Sequence, residues 1–399
     1  MPEITHALSG DAVPELAALD AVMRRCLAEH GVPGATLAVA KDGRQVYARA
    51  FGWADLQALT PVTPEARFRL ASVSKPITAV AILRLAQEGK LALDERAFER
   101  LPVEPYLPAG ARPDPRWQQI TIRQLLTHTA GWDRDRSGDP MFMSVAIARA
   151  LGVPAPAEPE HIIRWMAGQP LDFDPGGGYA YSNFGYCVLG RLIERVTGQP
   201  YGEYVQRTLL GGLGLSSLAL GGTHFAGRLP GEVAYYPTTD FAPSVFAANL
   251  GQRVPESYGG WYLEAMDAHG GWVGAAPDLL KFAGALDHTG PGALLSPASV
   301  RELFAPPPAP AYAATHARYP NGHYACGWAV DVPADGRLGQ QHHNGMLPGS
   351  ASVLRRRDDG VIWAALFNRA EGRQKQYLGA FVVQLMARAL EQVEHWPTQ

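Results

Sequence analysis

Two β-hairpins at opposite ends of the chain constrain the fold more than any other feature. Near the start, strand-like runs at residues 35–40 and 45–50 are joined by Lys41-Asp42-Gly43-Arg44. Near the end, runs at 351–356 and 361–367 flank Asp358-Asp359-Gly360. Asp-Gly is a strong hairpin signal because the tight turn needs positive φ at its central residues. A helix accompanies each hairpin. Residues 13–30 place Leu16, Leu19, Val22, Met23, Cys26 and Leu27 at helical spacing, and Gly31 closes the run. Residues from about Gln374 to Glu391 align Tyr377, Leu378, Phe381, Val382, Leu385 and Ala389. The simplest assembly is one antiparallel sheet built from both chain ends, with helices packed on it.

The middle of the chain reads differently. Helical patterns are expected at 77–88, 121–127, 160–167, 184–196, 201–210, 277–287 and 298–304. Segment 305–314 carries Pro306, Pro307, Pro308 and Pro310 and reads as a stiff connector. The expected fold is therefore α/β (α+β) in two lobes. A sheet lobe takes about 1–71 and 315–399, and a large helical and loop lobe takes about 72–314.

The chain has 399 residues and a formal net charge of −3, with charge spread along its length. No basic stripe points to nucleic acid. The opening Met1-Pro2-Glu3-Ile4-Thr5-His6 has no basic or apolar targeting region, and no apolar run is long enough for a bilayer. A soluble, cytoplasmic protein without a membrane partner is the expectation. Cys26, Cys187 and Cys326 have no motif spacing and apolar surroundings, so buried free thiols are expected.

Three short motifs carry chemistry. Ser72-x-x-Lys75 lies at the start of an apolar helix, with Pro76 fitting its first turn. Three residues apart, the two side chains share a helix face. A serine hydroxyl becomes a nucleophile when a neighbouring base takes its proton, and a partly desolvated lysine amine can do that. Alone this pattern arises about once by chance in a chain this long. Its weight comes from two further motifs downstream. Tyr181-Ser182-Asn183 leaves a turn-rich loop and enters a helix with Val188, Leu189, Leu192 and Ile193. A tyrosine near a lysine cation can have its pKa lowered and act as a base. The competing reading is a capping Ser182 or Asn183 beside a core Tyr181. His343-Asn344-Gly345-Met346 precedes the C-terminal hairpin, where a glycine at a strand lip admits a substrate and Met346 can offer its N–H to an oxyanion. Tyr319-Pro320-Asn321 and His269-Gly270-Gly271 repeat parts of these patterns in less suitable contexts, and are set aside.

Other chemistries lack their signatures. The chain has no Gly-x-Ser-x-Gly elbow, no His-Glu-x-x-His, no paired Cys-x-x-Cys and no phosphate-binding glycine loop. No metal and no cofactor are expected.

In order and rough spacing, Ser72-x-x-Lys75, Tyr181-x-Asn183 and His343-x-Gly345 resemble the motifs of the serine β-lactamase-like hydrolases. Connecting phrases match too, among them Leu125-Leu126-Thr127-His128-Thr129-Ala130-Gly131 and Asp278-Leu279-Leu280-Lys281-Phe282-Ala283. The resemblance covers nearly the whole chain, as one catalytic domain. It is nearest the class C branch, which holds family VIII carboxylesterases, D-aminopeptidases, DD-peptidases and some acyltransferases. It implies that Ser72 forms an acyl-enzyme and that Lys75 and Tyr181 share the acid and base work. Asn183 would position Lys75 and the substrate carbonyl, His343 and Gly345 would line the opposite wall, and the Ser72 and Met346 N–H groups would form an oxyanion hole. Where β-lactamases of this branch have Lys-Thr-Gly, this chain has His-Asn-Gly. The leading expectation is a carboxylesterase acting on small to medium acyl esters. A D-amino acid peptidase or amidase, an acyltransferase, a weak β-lactamase and a catalytically silent penicillin-recognising protein are the alternatives. Trp132, Tyr179, Phe184, Met346, Leu347, Tyr258, Trp261 and Trp272 are expected to make the acyl site apolar.

Overall fold

A computed structural model describes residues 7–290, 292–372 and 376–397. The reading of Met1 to His6 lies outside the described residues, as does Gln374. The strands are β1 (Leu8–Ser9), β2 (Gly34–Lys41), β3 (Arg44–Asp55), β4 (Thr60–Pro61), β5 (Phe68–Arg69), β6 (Ala219–Leu220) and β7 (Phe241–Pro243). They continue as β8 (Arg253–Pro255), β9 (Trp272–Gly274), β10 (Gly322–Tyr324), β11 (Ala329–Asp331), β12 (Gln341–Leu347), β13 (Ser350–Arg356) and β14 (Val361–Phe367).

The main sheet is antiparallel in the order β1-β3-β2-β14-β13-β12-β11-β10, with β4 paired to β3. The two chain ends meet at its centre, where β14 runs beside β2 with Ala364 opposite Ala38. Both expected hairpins form, β2 to β3 and β13 to β14. In the first, Asp42 and Gly43 both take positive φ, 51° and 77°. That is the paired left-handed geometry for which Asp-Gly is selected.

Residue alternation assigns the two sheet faces. Ala35, Leu37 and Val39 face an outer layer formed by the helices Ala17–His30 and Leu378–Glu391, together with Ala351, Val353 and Trp363. Ala38, Ala40, Leu354, Ile362 and Ala364 face the larger inner core. Both faces are covered, which is why these strands read as continuous apolar runs. On the inner face the helix Ala276–Gly284 packs across β2 and β14.

The helix Ser74–Gln87 is buried over nearly its whole circumference, as expected of an apolar helix without a polar stripe. The helices Ile122–Leu126, Pro159–Met166, Asn183–Thr197 and Pro297–Phe304 also form. The connector reading fails in its second half, because residues Ala311–Arg318 are helical. Pro310 stands at the N-cap, before the first turn, where a proline removes no helix hydrogen bond.

Candidate active site

Ser72 is presented by a short, unusual path. β5 ends at Arg69, and a 3-10 turn over Ala71–Val73 leads into the helix Ser74–Gln87. Ala71 takes φ 48°, a conformation that costs a non-glycine residue about 1–3 kcal/mol and persists only where its surroundings hold it. Here β13 does the holding. Ser350 Oγ donates to Arg69 O at 2.6 Å and Ser352 Oγ donates to Leu70 O at 2.6 Å.

Lys75 is fully buried, and its Nζ has three partners: Ser72 Oγ at 3.1 Å, Asn183 Oδ1 at 2.8 Å and His269 O at 3.0 Å. The last two are acceptors only. Burial holds the Lys75 pKa well below the ordinary lysine value; the Asp139 carboxylate partly opposes that shift, and the Arg134 charge adds to it. A neutral amine has two N–H bonds and one lone pair. With both hydrogens given to Asn183 and His269, the lone pair is left for the Ser72 hydroxyl.

The Tyr181 phenol faces Ser72, whose hydroxyl acts to lower its pKa, and its ring centre lies 4.7 Å from Lys75 Nζ. Burial pushes its phenol upward, against the lowering expected from a nearby lysine. Lys75, itself shifted toward neutrality, supplies little charge to stabilise a phenolate. The two shifts run in opposite directions, Lys75 toward the neutral amine and Tyr181 toward the protonated phenol.

The second motif is set by tertiary contacts. Ser182 caps the helix Asn183–Thr197 by accepting from Gly185 N at 3.2 Å. Asn183 Nδ2 donates to Asp139 Oδ2 at 2.6 Å, which turns the amide oxygen toward Lys75. His128, buried at φ 59°, accepts the Ser182 N–H on Nδ1 at 3.2 Å and packs its ring 4.3 Å from that of Tyr181.

The third motif lies inside β12, the strand that precedes the C-terminal hairpin as expected. His343 is buried and donates Nδ1–H to Asn344 O at 2.7 Å, which leaves Nε2 to accept the Tyr324 hydroxyl at 2.9 Å. Burial holds its pKa well below the ordinary histidine value, so the ring is neutral. Gly345 is needed for space. A Cβ there would overlap Leu70 O and Ser352 Oγ and lie 3.0 Å from Ser72 N. Its carbonyl accepts from Tyr377 OH at 3.0 Å. β11 pairs with β12 at His342 and Gln341, so among the described residues no strand covers the edge from His343 to Leu347. Met346 is half exposed at the cleft.

Ser72, Tyr181, Asn183, His343 and Met346 thus line one cleft of about 1190 Å³, with Lys75 beneath them. Two motifs set aside in the sequence contribute. His269 supplies the carbonyl that holds Lys75, and Tyr319 lines the cleft with its hydroxyl 3.2 Å from that of Tyr179. The expected apolar lining is corrected. Trp132 and Phe184 pack against Trp117 in the core. Trp272 is buried against Tyr201, and Tyr258 and Trp261 surround Arg69. Of the expected set, Tyr179, Met346 and Leu347 reach the cleft, beside Asp133, Arg134, Arg318, Glu256 and Glu371. Those aromatics fill a core whose surface they approach only in sequence. The three cysteines are buried free thiols, and among the described residues no helix is long and apolar enough to cross a membrane.

The family model described as Beta-lactamase matches residues 19–386. Esterase EstB of Burkholderia gladioli is 35% identical over 290 residues, which take in 72% of this chain and 68% of that protein. Penicillin-binding protein 4* of Bacillus subtilis (strain 168) is 27% identical over 332 residues, 82% of this chain and 65% of its own length. Among solved structures, EstCE1, a hydrolase with promiscuous acyltransferase activity, superposes with a TM-score of 0.70 at 25% identity, covering 94% of this chain and 98% of that one. The chain belongs to the Beta-lactamase family and is a serine hydrolase.

Proposed function

We propose that this protein is a carboxylesterase that hydrolyses small to medium acyl esters through an acyl-enzyme on Ser72. The observation that carries this reading is the placement of Lys75. Two acceptors consume its N–H bonds, and its remaining valence meets the Ser72 hydroxyl. The Lys75 lone pair takes the Ser72 proton as Oγ bonds to the ester carbonyl carbon. The carbonyl oxygen, now anionic, is received by the N–H groups of Ser72 and Met346. On collapse, Tyr181 gives its phenol proton to the departing alkoxide and recovers one from the Lys75 ammonium. Water then attacks the acyl-enzyme, giving up its proton by the reverse route to Lys75, which returns it to Ser72 Oγ as the acid departs.

An ester is favoured over a β-lactam because the third motif carries no fixed cation. His343 is neutral and already bonded on both ring nitrogens. The likeness to an esterase at 35% identity supports the same choice. The test is one panel of short p-nitrophenyl esters, D-amino acid amides and a chromogenic cephalosporin, with wild type and Ser72→Ala. Esters should give the highest kcat/KM and lose nearly all of it in Ser72→Ala. Amide or cephalosporin turnover equal to that of the esters would move the assignment to a peptidase or a β-lactamase.

A further inference from the structure

The cleft holds two arginines that this reaction does not use. Arg134 opens the turn Arg134–Ser137, and its guanidinium carbon lies 4.9 Å from the centre of the Tyr181 ring. It lines the cleft and makes no ion pair among the described residues. Two of the carboxylates near it in the chain are engaged elsewhere, while Asp135 lines the cleft beside it. Asp133 accepts the Asp135 N–H at 3.0 Å, and Asp139 holds Asn183. Arg318 ends the helix Ala311–Arg318 on the other side of the same corner, adjacent to Tyr319, and it too makes no ion pair among the described residues. Between them stand the Tyr179 and Tyr319 hydroxyls, 3.2 Å apart. Both arginine charges act on the Tyr319 phenol, in opposition to its burial.

Both cleft arginines stand toward one end of β12, with Asp133 and Asp135 beside Arg134, and the glutamates toward the other. The corner lies at its His343 end, where Tyr324 meets both His343 and Tyr319. At the other end, Ser257 Oγ donates to Pro348 O at 2.8 Å, and Glu256 and Glu371 line the cleft there. The Glu256 pKa is raised by burial and by the Glu371 charge. Four strand steps from His343 to Leu347 separate the two ends by roughly 13 Å, with Ser72 beside Gly345 between them.

We propose that Arg134 and Arg318 form a carboxylate-binding corner, so that the ester substrates carry an anionic group directed to the Tyr179–Tyr319 side of Ser72. This rests on the esterase reading and specifies its substrate class. Guanidinium groups match a carboxylate with paired N–H donors. Arg134 is pre-positioned by the face of Tyr181, so less ordering is needed on binding. At the far end the lining carries Glu256 and Glu371 and, among the described residues, no lysine or arginine, so a carboxylate is drawn toward the arginine end.

The test uses two matched pairs of esters. In one pair the acyl chain ends in a carboxylate or, at equal length, in a methyl group, with p-nitrophenol leaving. In the other, a butyryl group is carried by 3-carboxy-4-nitrophenol or by p-nitrophenol. Each is run with wild type and with the Arg134→Gln/Arg318→Gln double variant, whose folding is checked by Tm. In at least one pair the anionic ester should exceed its neutral partner in kcat/KM by about tenfold, the scale of one charge-assisted hydrogen bond. That ratio should fall toward one in the double variant, mostly through KM. Neutral esters equal or better in both pairs would overturn the corner while leaving the esterase reading intact, and so would an anionic preference that survives the double substitution. Absence of Ser72-dependent turnover on every ester would overturn both.

Discussion

At the residue scale, the site is governed by two shifted groups moving in opposite directions. In the proposed mechanism Lys75 acts as the neutral amine, and burial lowers its pKa. Tyr181 acts there as the phenol, and burial raises its pKa. Activity should be lost as pH falls through the depressed Lys75 value, because protonation consumes the lone pair that faces Ser72. It should persist well above neutrality, because Tyr181 stays protonated there. A profile of kcat/KM on a neutral ester from about pH 5 to about pH 10 should show an acid limb and a broad alkaline plateau. In Tyr181→Phe the plateau should drop by about a hundredfold or more, within the usual range for a proton-transfer group. A wild-type profile that declines between about pH 8 and pH 9 would contradict a protonated Tyr181.

At the element scale, β12 and β13 act as the jig for the nucleophile. β13 hydroxyls hold the carbonyls of Arg69 and Leu70, and Gly345 leaves the room in which Ser72 N sits. Gly345→Ala should therefore act sterically. Its new methyl meets a backbone carbonyl that cannot move without shifting Ser72. A stability loss of about 1–3 kcal/mol is expected, with a fall in acylation rate of roughly a hundredfold from misplacement of the nucleophile. Fluorophosphonate labelling at the wild-type rate in Gly345→Ala would refute this account.

Local signals made much of this scale legible. Asp42-Gly43 announced its hairpin, and the Ser-x-x-Lys, Tyr-x-Asn and His-x-Gly residues meet around one cleft. What stayed hidden was pairwise and distant. Asp139 reaches Asn183 across 44 positions and Arg134 reaches Tyr181 across 47, and no local period marks either contact. His128 stood within a matched phrase, but its role against Tyr181 depends on a left-handed backbone that composition does not encode. The helix Ala311–Arg318 was obscured by the prolines before it, which end at its cap rather than break its interior.

At the scale of the whole molecule, the question is how the inserted helices and loops are fastened to a sheet made by the chain ends. Arg69 stands at that junction and is fully buried. Its guanidinium donates to Ser257 O at 2.7 Å, Gly222 O at 2.9 Å and Thr223 O at 3.1 Å. It is enclosed by the rings of Tyr235, Trp261 and Tyr258, at 4.4, 5.2 and 5.4 Å, and its Nε lies 3.9 Å from Glu232. Its backbone N–H meets Tyr235 OH and its carbonyl meets Ser350 Oγ. One side chain thus gathers three remote loops three residues before Ser72. Arg69→Met leaves three carbonyls and the Glu232 carboxylate without their cation, a change that costs about 3–5 kcal/mol when a buried charge loses its partner. Arg69→Lys keeps the charge but not the planar fork, so it cannot serve Ser257, Gly222 and Thr223 together. Urea unfolding should place the midpoints in the order wild type, Arg69→Lys, Arg69→Met. Ser72 labelling below those midpoints should already be slowed in Arg69→Lys, because the same residue positions the nucleophile turn and one wall of the cleft. An Arg69→Met protein that unfolds with wild type would show that the loops are held to the sheet by their apolar packing alone.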